Sequence, residues 1–213
     1  MLNIIQSKEK YCVFDIGTDK LVCLFFNIKD NKPYILGMAH QKSDGFLNNN
    51  DIDHKKLSLS ISRAVKKGLP KNSKISDYQC FSNLTDINLI SKKKFSEIKS
   101  GKIAITKKDV RKIFKKSIVE SKLRGRCLMH SYPLNFRINK KIIDNPLGYE
   151  CDSFGILLFN VYSTYNLFEI INKCFKYSKI NIKSFFDSGI ASSQANLTIS
   201  EKTKGVACID IGA

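Results

Sequence analysis

The sequence predicts an α/β protein with a mixed sheet and a smaller inserted α+β subdomain, and two observations support this prediction. Apolar segments of strand length alternate with amphipathic segments of helix length along the chain. From residue 85 the pattern also changes to a ribbon of alternating residues followed by a further amphipathic helix, which predicts the insertion. The chain of 213 residues is long enough to bury one sizeable core or two small ones. Its composition, 43% hydrophobic and 26% charged, excludes disordered and fibrous classes.

The first part of the chain predicts a three-stranded meander, then a helix and a fourth strand. Turns rich in Asp, Asn and Gly separate the three apolar runs. Asp53 is predicted to cap a helix that extends to about residue 67, where Gly68 ends it. The predicted strands are residues 11–17, 21–28, 34–39 and 78–82.

An inserted subdomain is predicted over residues 85–160, because the pattern changes there. A ribbon of alternating residues spans 87–105, and Thr106 then caps an amphipathic helix. Two strands complete the insertion, at residues 127–137 and 154–162, and a turn at residues 144–148 lies between them.

The last part of the chain predicts a return to the main sheet. Ser163 is predicted to cap a helix, and a strand at 180–186, a helix at 188–199 and a final strand at 205–213 follow. The predicted division is a main subdomain formed by 1–84 and 161–203, the insertion at 85–160, and the start of a second lobe at 204–213.

The seven cysteines predict reduced, buried thiols, since they are scattered, odd in number and form no metal-ligand spacing. The N-terminus lacks the order of a secretion signal, and no apolar stretch has the length of a membrane span. A cytoplasmic location is therefore expected.

The formal charge of +17 would ordinarily indicate a nucleic-acid or membrane-surface partner. Here 31 of the 36 basic residues are Lys and only 5 are Arg, and they are spread along the whole chain. Nucleic-acid sites favour Arg and interleave aromatic residues with the charge. Nucleic-acid binding is therefore not the expected function.

The first Asp-Ile-Gly turn has the residue types that a phosphate and a divalent cation require. Asp15 ends a strand and can orient a Mg²⁺-bound water, Gly17 permits close approach of the main chain, and Thr18 offers a hydroxyl. Asp19 completes the polar tip, and Lys20 supplies positive charge. An ordinary hairpin would also favour Asp and Gly, so this motif alone is a weak signal.

The second Asp-Ile-Gly turn strengthens the phosphate interpretation. Asp210 would supply a second carboxylate near Mg²⁺, and Gly212 would supply a second close approach of the main chain. Both copies follow an apolar strand, and a whole α/β unit separates them, so accidental repetition is improbable. Two loops that face one cleft are expected to hold a nucleotide.

The sequence DIGTDK at residues 15–20 resembles the first phosphate loop of the actin, sugar-kinase and heat-shock-chaperone superfamily, in the form found in the FtsA cell-division family. The turn NPLG at 145–148 and the segment 205–212 are similar to further motifs of that family. This resemblance covers nearly the entire chain, and the position of the insertion favours FtsA. It implies an actin-like, ribonuclease H-like lobe.

The resemblance implies ATP and Mg²⁺ as ligands and at most a weak ATPase. It also implies a scaffold that tethers the FtsZ ring to the inner membrane, recruits later divisome proteins and self-associates into filaments at the division site. Asp187 stands where the superfamily places a water-positioning Glu or Gln, although it equally suits a helix cap. Because the chain ends inside the second loop, a fragment that binds ATP weakly or not at all is expected.

Three alternatives remain open from the sequence. A pilus-assembly actin-like adaptor has a similar insertion, but its hairpin prefers small residues where Lys20 stands. A sugar or acetate kinase would need a cluster of polar catalytic residues between Gly45 and Lys67, which is not found. A basic RNA-associated protein would bind any polyanion with a steep salt dependence.

Overall fold

The computed structural model describes residues 9–48, 51–101 and 103–209. The strands are β1 Lys10–Ile16, β2 Lys20–Lys29, β3 Lys32–Lys42, β4 Phe46–Asn48, β5 Asp51–Ile52, β6 Tyr78–Asn83, β7 Ile90–Lys99, β8 Arg126–Ile138, β9 Lys141–Ile143, β10 Ser153–Thr164 and β11 Ile182–Phe186. The helices are α1 His54–Gly68, α2 Lys107–Glu120, α3 Tyr165–Tyr177, α4 Ser188–Asn196 and α5 Ile199–Lys204, with a 3-10 turn at Ile75–Asp77.

The chain forms two compact units. The first unit comprises Met1–Thr85 and Asn166–Ala213, and the second comprises Asp86–Tyr165. The predicted end of the insertion at residue 160 falls inside strand β10, which continues to Thr164.

The first unit is built on a five-stranded mixed sheet in the order β11-β6-β1-β2-β3. The neighbours β1–β2 and β2–β3 are antiparallel, whereas β6 runs parallel to both β1 and β11. The predicted meander is therefore confirmed. Its alternating apolar residues form the core, as in the edge-to-face contact of Phe14 with Phe175 of α3 at 5.0 Å between ring centroids.

Helix α1 follows the pattern that the sequence predicts. Asp53 precedes the helix in an extended conformation, and its carboxylate accepts hydrogen bonds from the backbone N–H groups of Lys55 and Lys56. Leu57 and Ile61 are fully buried on one face, and the helix packs against β2 and β3. The predicted Asp53 cap is confirmed.

The second unit pairs an antiparallel sheet, in the order β7-β10-β8-β9, with helix α2. Thr106 and Asp109 form a reciprocal capping box at the start of α2, which confirms the predicted cap. The core of this unit consists of Ile105, Ile113, Ile138, Cys151, Phe154, Ile156 and Leu158. Its apolar side chains come from the period of two in the strands and the period of 3.6 in α2.

Several predicted elements are wrong in detail. Only Ile90–Lys99 of the predicted ribbon at 87–105 forms a long strand. Ser163 does not cap a helix, because it lies in β10 and its hydroxyl donates to Asp86 instead. The predicted helix at 188–199 ends earlier, at Asn196, and a separate helix, α5, begins at Ile199 after a capping box formed by Thr198 and Glu201.

The predicted strand at 205–213 is not formed in its described part. Residues 205–209 lie outside any helix or strand and are exposed, with Ile209 82% accessible. A strand needs a neighbour to satisfy its backbone groups, and none is paired with this segment in the described residues. Residues 210–213 lie outside the described part of the chain.

The cysteines are free thiols, as the sequence predicts, but not all of them are buried. Cys208 is exposed because it lies in the open segment 205–209. Cys127, near the start of β8, is partly exposed. Burial raises the pKa of Cys174 to about 11, so this thiol stays protonated at neutral pH. Within the described residues, no helix combines the length and the apolar character that crossing a membrane requires.

Candidate functional site

The candidate site begins at the hairpin between β1 and β2. The Gly17 N–H donates to the Lys20 carbonyl at 2.8 Å and closes a tight turn, while the Asp19 carbonyl accepts from the Ser43 N–H at 2.8 Å. A Cβ atom at Gly17 would lie 3.3 Å from the Lys20 carbonyl oxygen, so the glycine keeps this turn compact. Thr18, Asp19 and Lys20 are exposed at the tip.

Asp15 lies near the end of β1 and points its carboxylate toward the end of β6. Its Oδ1 accepts a hydrogen bond from Asn83 Nδ2 at 2.7 Å. Within the described residues Oδ2 has no protein partner, and the Lys20 ammonium has no ion pair. The hairpin therefore presents a carboxylate oxygen and a cationic group that are both available to a ligand.

Asn83, which the sequence interpretation missed, connects this hairpin to the rest of the sheet. It is the last residue of β6 and is only 4% exposed. Its carboxamide accepts from the Ile16 N–H at 2.8 Å, and also donates to Asp15 and to the Ser188 hydroxyl, the latter at 3.0 Å. A polar residue directly after the predicted strand 78–82 was the available signal.

Ser188 completes the cluster from the far side. It starts α4 directly after β11 and lies 2.8 Å from the Thr85 hydroxyl, within hydrogen-bond distance. The parallel strands β1, β6 and β11 end at the same edge of the sheet, and Asp15, Asn83 and Ser188 meet there. This edge is where open α/β sheets bind ligands.

Asp187 acts as the N-cap of α4. Its Oδ1 accepts from the Ile190 N–H at 2.9 Å, which satisfies one of the free donors at the start of the helix. The helix-cap interpretation of Asp187 is thus confirmed. Its predicted role in positioning water stays a prediction, as does the role of Asp210 and Gly212, which lie outside the described residues.

The donor set suits magnesium only in combination with a ligand. Within the described residues, no cluster of three or more His, Cys, Asp or Glu side chains could hold a metal ion. Mg²⁺ in phosphate sites ordinarily keeps several waters and binds to phosphate oxygens plus one or two carboxylates. A single exposed carboxylate such as Asp15 fits that arrangement.

Comparison with known proteins finds sequence similarity to curated cell-division proteins. No protein-family model matches the chain. The cell division protein FtsA of Helicobacter pylori strain J99 is 23% identical in an alignment of 235 residues, gaps included. This alignment covers 98% of the chain and 47% of that protein. FtsA of Buchnera aphidicola subsp. Schizaphis graminum is 26% identical in an alignment of 216 residues, which covers 98% of the chain and 50% of that protein. The chain thus spans about half the length of these curated relatives.

A solved structure supports the fold. A chain of the PilM-PilN type IV pilus biogenesis complex superposes with a TM-score of 0.53 at 9% identity, covering 89% of this chain and 50% of that chain. At this identity the likeness establishes the fold alone. The chain therefore has the predicted actin-like fold, and the predicted resemblance to the cell-division protein FtsA is confirmed over nearly its whole length.

Proposed function

We propose that the chain binds the phosphates of ATP, with Mg²⁺, at the β1–β2 hairpin, as part of an actin-like cell-division protein. The observation that supports this most directly is the meeting of Asp15, Asn83 and Ser188 where three parallel strands end. Exposed Lys20 adds positive charge on the same hairpin. The similarity to FtsA over 98% of the chain agrees with this assignment.

The residues of the hairpin have distinct proposed roles. The Gly17 N–H already closes the turn, so the phosphate contacts fall to Thr18, Asp19 and Lys20 beyond it. Asp15 Oδ2 would orient a water bound to Mg²⁺, and Lys20 would attract the phosphate charge. Mg²⁺ would neutralise the phosphate charge when bound. Asp210, Gly212 and a water-positioning Asp187 belong to the same proposal.

Binding by the chain is expected to be weak, because Asp15, Thr18 and Lys20 are exposed and water and salt screen their charges. In an NMR titration, ATP with Mg²⁺ should shift the amide signals of residues 17–20, with a dissociation constant on the order of 1 mM. Replacing Lys20 with Ala should weaken binding about fivefold, because a charge-assisted contact to phosphate is lost.

Two controls make this titration decisive. Lys29→Ala removes a lysine at the far end of β2 and should leave the affinity unchanged. AMP lacks the β- and γ-phosphates and should cause smaller shifts at the hairpin. Equal weakening by both lysine variants would show non-specific charge attraction and contradict a phosphate site at Lys20. The absence of shifts at the hairpin amides would also contradict a phosphate site there.

The cellular role proposed is that of FtsA: tethering the FtsZ ring to the inner membrane, recruiting divisome proteins and forming filaments at the division site. The sequence similarity to FtsA favours this role. A PilM-like adaptor in type IV pilus assembly is the second candidate, because the PilM-PilN complex shares the fold. That likeness, at 9% identity, does not outweigh the FtsA similarity over 98% of the chain.

A localisation experiment separates these two roles. A fluorescent fusion of the chain, produced in dividing bacteria that also carry type IV pili, should concentrate at the division site beside labelled FtsZ. Accumulation with the pilus machinery would instead support the PilM-like role. Uniform fluorescence from a stable fusion would contradict both roles for this chain.

A further inference from the structure

The Asn83 side chain occupies an unusual place for a polar group. It is 4% exposed and makes hydrogen bonds with residues 67, 68 and 105 positions away in the sequence. Oδ1 accepts from the Ile16 N–H at 2.8 Å, while Nδ2 lies 2.7 Å from Asp15 Oδ1, 3.0 Å from Ser188 Oγ and 3.3 Å from the Ile16 carbonyl. The carboxamide therefore spans three separate chain segments.

These neighbours fix the orientation of the carboxamide. The Ile16 N–H can only donate, so it must face Oδ1, and a flipped amide would place two donors against each other. Nδ2 then has two hydrogens, which suit the carboxylate of Asp15 and the hydroxyl of Ser188. With one arrangement permitted, the side chain is a rigid support rather than a mobile one.

The bond to Asp15 is the one that folding alone explains least. Asp15 is exposed, so water would solvate its carboxylate equally well without Asn83. What the bond does is hold Oδ1 against β6, so that the carboxylate cannot rotate freely and Oδ2 keeps one direction. Holding a ligand-binding group in place before binding removes an entropy cost from the binding step.

We propose that Asn83 is a positioning residue of the nucleotide site, which orients the Asp15 carboxylate for the hydrated magnesium ion of Mg·ATP. This inference rests on the proposed phosphate-binding function. Asn83 does not touch the ligand in this role; it acts through Asp15. The same side chain anchors the hairpin through Ile16 and connects it to Ser188 at the start of α4.

The test is the gain in ATP affinity that Mg²⁺ provides, measured by NMR titration of the chain with and without Mg²⁺. Asn83→Ala should reduce this gain about tenfold, the usual effect of removing a residue that supports a metal-binding carboxylate. Gln79→Ala removes a carboxamide near the opposite end of the same strand, where its partner is Lys183, so its gain should match that of the unmodified chain. If the role of Asn83 were purely structural, the folded Asn83→Ala variant would keep the full gain in ATP affinity that Mg²⁺ provides.

Hydrogen exchange at the Ile16 amide provides a second readout that needs no ligand. Asn83→Ala should lose protection there because its acceptor is gone, whereas Gln79→Ala should keep it. If Asn83→Ala does not fold, Asn83→Ser is used instead; its hydroxyl suits the polar surroundings but is one bond too short to support Asp15.

The outcomes separate the two proposals. If the unmodified chain gains affinity from Mg²⁺ and the Asn83 variant keeps that gain, the positioning role is overturned while phosphate binding stands. If the unmodified chain shows no Mg²⁺-dependent binding, the proposed function fails, and the positioning role fails with it. A reduced gain in the Asn83 variant, with Gln79→Ala unchanged, supports both.

Discussion

Replacing Gly37 with alanine is expected to destabilise the first unit by about 3 kcal/mol, since the new methyl group would overlap a neighbouring backbone. Gly37 lies in β3, and a Cβ atom there would be 2.2 Å from the Gly68 carbonyl oxygen at the end of α1 and 3.3 Å from Pro70 Cγ. Gly68 is also close to the backbone of β3, because a Cβ atom there would be 2.9 Å from the Ala39 nitrogen. No rotamer change relieves a clash with backbone.

Urea unfolding followed by circular dichroism measures the effect of Gly37→Ala. Gly205→Ala is a suitable control in the same unit, because no heavy atom lies within 4 Å of the position where its Cβ would be. Its φ of 82° makes alanine unfavourable, but the cost should stay near 1 kcal/mol in an exposed segment. Equal losses from the two substitutions would contradict the claim that β3 and α1 meet backbone to backbone.

The close approach of Gly37 and Gly68 also shows what the sequence could not predict. The pattern of buried and exposed residues locates β3 and α1, because periods of two and 3.6 are local properties of the chain. Which residues of the two elements touch depends on how the helix packs across the sheet. Gly37 reads as an ordinary interruption of a strand until that packing is known.

The candidate site divides in the same way between local and long-range information. Asp15, Gly17 and Lys20 form one short motif, so the sequence alone identifies them. Asn83 reaches Asp15 only because β6 pairs in parallel with β1. Ser188 reaches Asn83 only because β11 pairs in parallel with β6. Hydrogen bonds across 68 and 105 residues leave no signature in a single sequence, apart from a polar residue directly after a predicted strand.

The missed start of α5 is a different kind of error, because the local signal was present. Thr198 and Glu201 have the spacing of a capping box, and the structure shows both of its hydrogen bonds. Extending the preceding helix to residue 199, past its end at Asn196, ignored that signal. Ser163 is the opposite case: a good capping residue whose hydroxyl is used by Asp86.

Replacing Asp86 is expected to have the largest effect in the second unit. Asp86 is 8% exposed, and its Oδ2 accepts from the Ser163 hydroxyl at 2.7 Å, the Thr164 N–H at 2.6 Å and the Thr164 hydroxyl at 2.9 Å. Its Oδ1 accepts from the Asn88 N–H at 2.8 Å. The carboxylate thus ties the first residues of this unit to the end of β10. Asp86→Ala should cost about 3 kcal/mol, because the buried Ser163 hydroxyl and both donors of the partly buried Thr164 lose their acceptor.

The same hydrogen bonds predict how this contribution depends on pH. Burial by itself would raise the pKa of Asp86, but the bonds from Thr164, Ser163 and Asn88 outweigh burial and hold the pKa below its usual range. The folded protein therefore binds this proton less readily than the unfolded chain. The stabilisation is fully present above the ordinary aspartate pKa of about 4 and is lost as the pH falls through the lower folded value.

Comparison of Asp86→Asn with the unmodified chain isolates this titration, since other carboxylates of the unit, such as Asp109 and Glu120, also have lowered pKa values. Urea unfolding of the second unit, followed by its NMR signals at about pH 7 and about pH 3, should show a smaller loss of stability on acidification in Asp86→Asn. Asp144→Asn, at an exposed carboxylate, should behave like the unmodified chain. An unchanged acid dependence in Asp86→Asn would mean that the hydrogen bonds to Asp86 do not favour its charged form, because only a difference between the folded and unfolded pKa couples this proton to stability.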